Sequence, residues 1–565
     1  GVLIKGLDHV QVSANWMAAS GDPKQDSALR NGVEALSKIS VDLEVSIPVG
    51  KDSLSMRTKW NEENNEYEVT SPLSGIISAM APVEDISRSV TPELNVDEDS
   101  VILVVKINQK NRLAGSIFSE VTESQYTETP DIDDVKLFKS LFNHIQGLIK
   151  DNKILAMHDI SDGGLVTALA EMCFTKKVGM SIQVDDIDSI NKTLFSEEIG
   201  FVIQVKSDDL DIVKSSLDEI NIYVEEVATI VEESFSISSK EKEVFSESIT
   251  VLEKYWRETS HAIQSIRDNK KIADSELNLL DNKNYHGLNS NVSFDENQIK
   301  NLSIKGTKPK VAILREQGVN GQNEMAAAFT IAGFEAFDVH MQDLLDGNID
   351  LKQFQGMAVC GGFSYGDVLG AGGGWSKTIL YNNNVKDQFQ QFFENKATFT
   401  LGVCNGCQML SNLKDIIPEA DYWPSFERNF SDQFEARLVQ VKVENTNSVL
   451  LRNMNGWTVP VASAHGEGRA NFQTNNLDEL KKQNQIAMRF VDSSAEHTEV
   501  YPLNPNGSPE GITGITAASG RVTIMMPHPE RVFRKYQMSW HQKDWPEYSP
   551  WMQIFVNAKK YSDEN

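Results

Sequence analysis

Apolar and polar positions along the chain follow two rhythms. Short continuous apolar runs have the length of buried strands: Val101 to Ile107, Val311-Ala312-Ile313-Leu314, Met357-Ala358-Val359-Cys360 and Thr400-Leu401-Gly402-Val403. Other stretches repeat at helical spacing. Leu29, Val33, Leu36 and Ile39 predict a helix from Asp26 to about Ile39, and Val135 to Lys150 reads as an amphipathic helix. Asn323 to Ala332 predicts another, ended by Gly333. Leu43 to Ser53 and residues 75–81 read as further strands, with a surface turn from Pro82 to Pro92. Ile154 to Leu165 is a strand running into a turn, followed by a helix to about Phe174.

These rhythms divide the chain. Residues 1–100 and 101–265 carry strands and helices in α+β alternation. Residues 266–305 lose apolar periodicity, with Asn, Asp, Lys and Ser dominant, and read as a linker or long surface connection. In residues 306–565 strands alternate with helices and glycines fall at strand ends, which predicts an open, mostly parallel α/β sheet. The expected class is therefore α/β and α+β multidomain. The length of 565 residues suits three or four domains.

Composition narrows the class. A hydrophobic fraction of 40% and a charged fraction of 24% are those of a folded soluble protein. No apolar run is long enough for a membrane span, and the N-terminus has no signal-peptide pattern. It also lacks an initiator Met, which fits a processed end or a cut inside a longer protein. The net charge of -28 disfavours nonspecific nucleic-acid binding but leaves room for a nucleotide in a local pocket. Cys173, Cys360, Cys404 and Cys407 are too few for a disulfide scaffold, so a reducing cytoplasm is expected.

The candidate chemistry centres on Gly402-Val403-Cys404-Asn405-Gly406, a G-x-nucleophile-x-G elbow with cysteine as nucleophile. A sharp strand-to-helix turn exposes the thiol, the flanking positions need to lack a Cβ, and the following helix N-terminus favours thiolate. A nucleophilic cysteine needs a base and a group that orients it. His528 and Glu530 lie two apart in Pro527-His528-Pro529-Glu530, read as extended chain after a strand, with both side chains on one face. His465 with Glu467 offers the same spacing. His528 is preferred because the strand end holds it more rigidly, and His465 then lines the substrate pocket. Backbone N–H groups of Asn405 and of the Gly361-Gly362 turn, Gly362 in particular, are expected to form the oxyanion hole.

Rival readings accompany each motif. Cys404 and Cys407 form a C-x-x-C of thioredoxin spacing, which explains neither the glycine bracket nor the His-x-Glu run; Cys407 reads as a buried small residue. A zinc site would need two more ligands at matching spacing. Pro48-Val49-Gly50-Lys51-Asp52-Ser53 departs from a P-loop at Val45 and Asp52 and is either a strand ending in a polar turn or a nonstandard ligand loop. His158-Asp159-Ile160-Ser161-Asp162-Gly163-Gly164 is either a helix start capped by Ser161 or Asp162, or a metal–phosphate turn. Glu197-Glu198 reads as a solvated charge pair.

Gly402 to Gln408 together with Pro527-His528-Pro529-Glu530-Arg531 resembles a class I glutamine amidotransferase domain. The resemblance extends further. Leu314 to Asn320, Cys360 to Leu369, Ser463 to Arg469 and Pro527 to Phe533, with Ser13 to Met17, Pro48 to Ser53 and His158 to Gly164 upstream, are similar to the family of large single-chain phosphoribosylformylglycinamidine synthases of purine biosynthesis. The resemblance implies a partial synthetase-like ATP-binding domain at 1–100, a second synthetase-like domain at 101–265 and the amidotransferase at 306–565. It implies that Cys404, His528 and Glu530 hydrolyse glutamine through a thioester. The ammonia and ATP then convert formylglycinamide ribonucleotide to its amidine. It implies Mg²⁺ at Asp159 and a nucleotide contact at Ser161. The family's first synthetase-like half has no counterpart here, so a missing N-terminal half of the same protein is the expected partner. A stand-alone cysteine hydrolase and an inactive fragment that docks the missing half are the alternatives.

Overall fold

The computed structural model describes every residue except 64, 186–188, 241, 301–307 and 475, together with the side chain of 300. The chain divides into two compact units, Gly1–Trp256 and Arg257–Asn565.

The first unit contains two larger sheets. In the smaller, Gln11–Met17 lies between Ser46–Ser53, parallel to it, and Ser74–Met80, antiparallel. Pro48 falls in Ser46–Ser53, an edge strand, where a missing N–H is tolerated. The Lys51-Asp52-Ser53 segment is strand, not turn, which removes the phosphate-loop geometry. The predicted first helix spans Pro23–Leu43, with Asp22 capping its N-terminus and proline at the first position. Leu29, Leu36 and Ile39 are half-buried, but Val33 is exposed. Val49, Ile76, Ile77 and Met80 are exposed too, so apolar surface of this small sheet remains uncovered.

The larger sheet has seven strands, in the order Lys242–Ser248, Ser234–Ser239, Gly179–Gln183, Tyr223–Val231, Ser100–Lys106, Gly200–Lys206, Ala156–Asp159. Helix Val135–Lys150 buries Leu141, Ile145, Leu148 and Ile149, the stripe its periodicity predicts. One expectation fails here. Glu197-Glu198 is not a solvated pair. Glu198 is fully buried and takes a two-pronged ion pair from Arg112, Nε at 2.6 Å and Nη2 at 2.7 Å. Glu197 accepts from the backbone N–H groups of Ile117 and Gly163, each at 2.9 Å. The partners are distant in sequence, so local spacing cannot reveal them.

The second unit is built on a nine-stranded sheet, ordered Glu335–His340, Lys310–Arg315, Gly356–Val359, Phe399–Val403, Val522–Met525, Ile512–Thr516, Ile486–Phe490, Glu435–Val443, Thr458–His465. The first five strands are parallel. The remaining pairings are antiparallel, so the parallel part is about half of the sheet. Phe399–Val403 is buried at every position, as a strand covered on both faces must be. The low-periodicity stretch is ordered in its described part. It contains helix Lys270–Asn278, and Asn291 exchanges two backbone hydrogen bonds with Thr458. Residues 301–305 of that stretch lie outside the described residues.

Candidate functional site

The elbow sits where the buried strand Phe399–Val403 turns into helix Asn405–Ser411. Cys404 takes φ 51° and ψ -111°, a strained conformation for a residue with a Cβ. Close packing explains the flanking glycines. A Cβ on Gly406 would lie 2.1 Å from the Val359 carbonyl oxygen, and one on Gly402 would lie 2.5 Å from Leu410. Cys407 is fully buried one turn on, and burial holds its thiol well above the ordinary range.

Neighbouring strands bring the partners. His528 follows strand Val522–Met525, which pairs with the elbow strand, and its backbone N–H donates to Ala462 at 2.8 Å. Its Nδ1 lies 2.7 Å from Glu530 Oε1, with both residues buried. The segment is not the extended chain the prolines suggest. Pro529–Arg531 is a single 3-10 turn, since a proline at the first position of a turn loses no hydrogen bond. The turn brings imidazole and carboxylate together all the same. Gly361 lies under the pair: a Cβ there would meet His528 Cε1 at 2.6 Å and Cys404 Cβ at 3.1 Å.

The electrostatics follow from this packing. Burial alone pushes the Cys404 thiol up, but the charge of the neighbouring His528 outweighs it and brings it down to about 5. Burial opposes the His528 cation, yet the carboxylate of Glu530 and the sulfur of Cys404 raise it to about 9. Between these values the pair is thiolate and imidazolium.

A cavity of about 440 Å³ opens over the sulfur, lined among others by Gly362, Gln408, His465, Glu467, His528 and Arg531. Gly362 has φ 140°, and a Cβ there would lie 2.6 Å from Asn320 N. Its bridge to Val319 uses Phe363 N and Asn320 N, leaving the Gly362 N–H outside both bonds. Asn405 N–H begins the elbow helix, where backbone donors lack intrahelical partners. Glu467 does not orient His465. Its Oε2 accepts from Ala371 N at 3.0 Å, and His465 Nε2 faces Asn506 Oδ1 at 2.6 Å. Asn506 and Gln408, whose Nε2 donates to the Glu467 carbonyl, were not anticipated. Gln408 was within reach of the sequence, because four residues on a helix return to one face.

The first unit presents its motif differently. Asp159, Ser161 and Asp162 are all exposed, with the Asp159 side chain 67% accessible. Neither Ser161 nor Asp162 caps the helix Gly164–Lys176. Its cap is Gly163, at φ 81°, whose N–H goes to Glu197. Among the described residues no three His, Cys, Asp or Glu side chains gather as a cation site would require. The residues present do not by themselves fit a magnesium ion.

Comparison with known proteins gives the class. Residues 308–562 match the CobB/CobQ-like glutamine amidotransferase domain, and residues 97–239 match the C-terminal domain of AIR synthase related proteins. The chain thus joins an amidotransferase to a synthetase-like module. Residues 2–82 match the FGAR-AT PurM_N-like domain. The three matches follow one another along the chain, and the one to the FGAR-AT PurM_N-like domain is confined to its first 82 residues. Similar solved structures include PurLQS of Thermotoga maritima, 24% identical, covering 45% of this chain and 99% of that one, at a TM-score of 0.35. T. maritima PurL complexed with ATP is 12% identical, covering 44% of this chain and 38% of that one, at a TM-score of 0.32. E. coli HypE, a hydrogenase maturation protein, is 14% identical, covering 42% and 72%, at a TM-score of 0.32. Likenesses this loose carry no argument. The chain spans under two fifths of the PurL chain's length.

Proposed function

We propose that Cys404, His528 and Glu530 hydrolyse glutamine and that the ammonia serves the ATP-dependent conversion of formylglycinamide ribonucleotide to formylglycinamidine ribonucleotide. The observation that carries this reading is the buried 2.7 Å His528–Glu530 pair beside a strained cysteine, opening on a cavity of about 440 Å³. The Cys404 thiolate attacks the carboxamide carbon. Backbone N–H groups of Gly362 and Asn405 receive the oxyanion. His528 gives its proton to the departing ammonia, leaving a thioester. Neutral His528 then takes a proton from the attacking water, glutamate leaves, and the ion pair is restored. Glu530 holds the imidazole in orientation and favours its charged form.

The ATP half of the reading assigns magnesium to Asp159 and a nucleotide contact to Ser161. Both sit on an open turn, and no step is drawn through them. An N-terminal synthetase-like half of the same protein is the proposed partner; the uncovered apolar residues Val49, Ile76, Ile77 and Met80 support it. A cytoplasmic location goes with this reading and with four free cysteines. Among the described residues no helix is long and apolar enough to cross a membrane.

Ammonia release from glutamine tests the first half. Its persistence in Cys404→Ala sinks the nucleophile assignment. Persistence in His528→Ala with loss in His465→Ala reverses the choice of base. ADP formation that needs both glutamine and formylglycinamide ribonucleotide separates the amidotransferase from a stand-alone cysteine hydrolase. Activity that appears only when the N-terminal half is added favours the docking fragment.

A further inference from the structure

The cavity holds a second imidazole that the triad does not use. His465 is 2% exposed, at the end of strand Thr458–His465. The preceding residue's carbonyl oxygen, on Ala464, lies 3.7 Å from the Cys404 sulfur, so this strand end packs against the nucleophile. The ring is built in on one side. A Cβ on Gly468 would lie 2.4 Å from both its Cδ2 and its Nε2. Asn429 clamps the loop, donating to the His465 carbonyl at 2.8 Å and accepting from Gly468 N at 2.9 Å.

Asn506 decides where the proton of His465 sits. Its Nδ2 donates to the Gly468 carbonyl at 2.8 Å, so Oδ1 is the atom 2.6 Å from His465 Nε2. A carbonyl oxygen there requires hydrogen on Nε2. Nδ1 is buried and has no hydrogen-bond partner among the described residues. The contrast with His528 follows. A carboxylate backs His528 and favours imidazolium, whereas a neutral amide oxygen faces His465 Nε2. The protonated ring would donate from Nδ1 to the thiolate; the neutral ring accepts there.

We propose that His465, its proton fixed on Nε2 by Asn506, determines specificity by accepting an N–H of the scissile carboxamide at Nδ1. This rests on the glutaminase reading of the cavity. The carboxamide of glutamine carries two N–H donors, and the carboxylate of glutamate carries none. One unpaired acceptor therefore favours the substrate over the product that differs from it only at this group. It also turns the carboxamide so that its nitrogen departs toward His528.

The test compares glutamine with the γ-methyl ester of glutamate, which has the same reacting carbon and no N–H. In the full chain, His465→Ala is expected to lower kcat/KM for glutamine by ~10-fold or more and for the ester by less than ~3-fold. His465→Asn retains a polar side-chain acceptor near the position of Nδ1 and is expected to recover part of the glutamine rate. Asn506→Asp supplies a carboxylate that protonates His465 and turns Nδ1 into a donor, so inhibition by glutamate should tighten relative to the KM for glutamine. Equal losses on amide and ester in the two His465 variants, with the glutamate-to-glutamine ratio of Asn506→Asp unchanged, overturn the proposal. Should His465→Ala not fold, the ester comparison in His465→Asn and the ratio in Asn506→Asp decide by the same criteria. Hydrolysis that Cys404→Ala leaves untouched would instead defeat the glutaminase reading itself.

Discussion

Each unit has a strand that turns through glycine-rich chain into a helix, and the two turns differ in where the strain sits. In the second unit the positive φ falls on the cysteine itself, Cys404 at 51°. The glycines at its flanks serve close packing against Val359 and Leu410. In the first unit the positive φ falls on Gly163 and Gly164, at 81° and 75°, and Asp159 and Ser161 stand in solvent before them. Strain held by a side-chain-bearing residue costs about 1–3 kcal/mol and survives only where surrounding packing enforces it. The elbow has that packing, with His528 and Glu530, both from the chain after the neighbouring strand, 2.7 Å apart beside it. The other turn leaves Asp159, Ser161 and Asp162 exposed, although His158 beside it pairs with Glu171 and the Gly163 N–H donates to Glu197. On the proposed reading the buried constellation draws on one unit alone, whereas the open turn needs further groups to make a site.

The largest effect separating the two should come from His528→Ala. It should lower kcat for glutamine by ~10³-fold. It should also change the reactivity of the thiol. In the wild type, thiolate persists down to about pH 5, because the Cys404 pKa is depressed to about 5, so alkylation stays fast from there to neutrality and falls only below. Without the His528 charge, burial pushes the thiol back up, and alkylation at pH 6–7 should become slow and rise only in alkali. A smaller effect is expected from Gly361→Ala. Its Cβ would displace His528 Cε1, now 2.6 Å away, and a shift of this order costs ~10²-fold in rate.

In the first unit the order reverses, with stability affected and glutamine hydrolysis spared. A Cβ on Gly164 would lie 2.7 Å from the Leu194 carbonyl oxygen, at a φ that disfavours it. Gly164→Ala should therefore lower the first unit's unfolding free energy by about 1–3 kcal/mol in denaturant titrations. Asp159→Ala is the smallest change. The side chain is exposed, so stability should move by under ~0.5 kcal/mol, and only the ATP-dependent reaction should respond. A drop in glutamine hydrolysis with either variant would break the comparison.

How much was legible follows the reach of each signal. The elbow is local: strand, glycine, cysteine, glycine, helix are contiguous, and each glycine has a steric reason the spacing anticipates. The helix Val135–Lys150 is equally local and has the predicted bounds. His528 and Glu530 could be paired by spacing, although the chain between them is a 3-10 turn. What failed depends on distant partners. The Glu198 carboxylate looks solvated until Arg112 is brought to it. The stretch after residue 266 shows little apolar periodicity, and its contacts, such as the two hydrogen bonds of Asn291 with Thr458, are with distant partners. Asn506 carries no motif, and only the fold brings it to His465.

The central claim is that Cys404 is the nucleophile of a glutamine site. Incubation with 6-diazo-5-oxo-L-norleucine, a glutamine analogue with an electrophilic γ-position, followed by peptide mass analysis, tests it most directly. The account predicts one adduct, on Cys404, that excess glutamine prevents and Cys404→Ala abolishes. An adduct on Cys407, or labelling of Cys404 that glutamine does not protect, would contradict it.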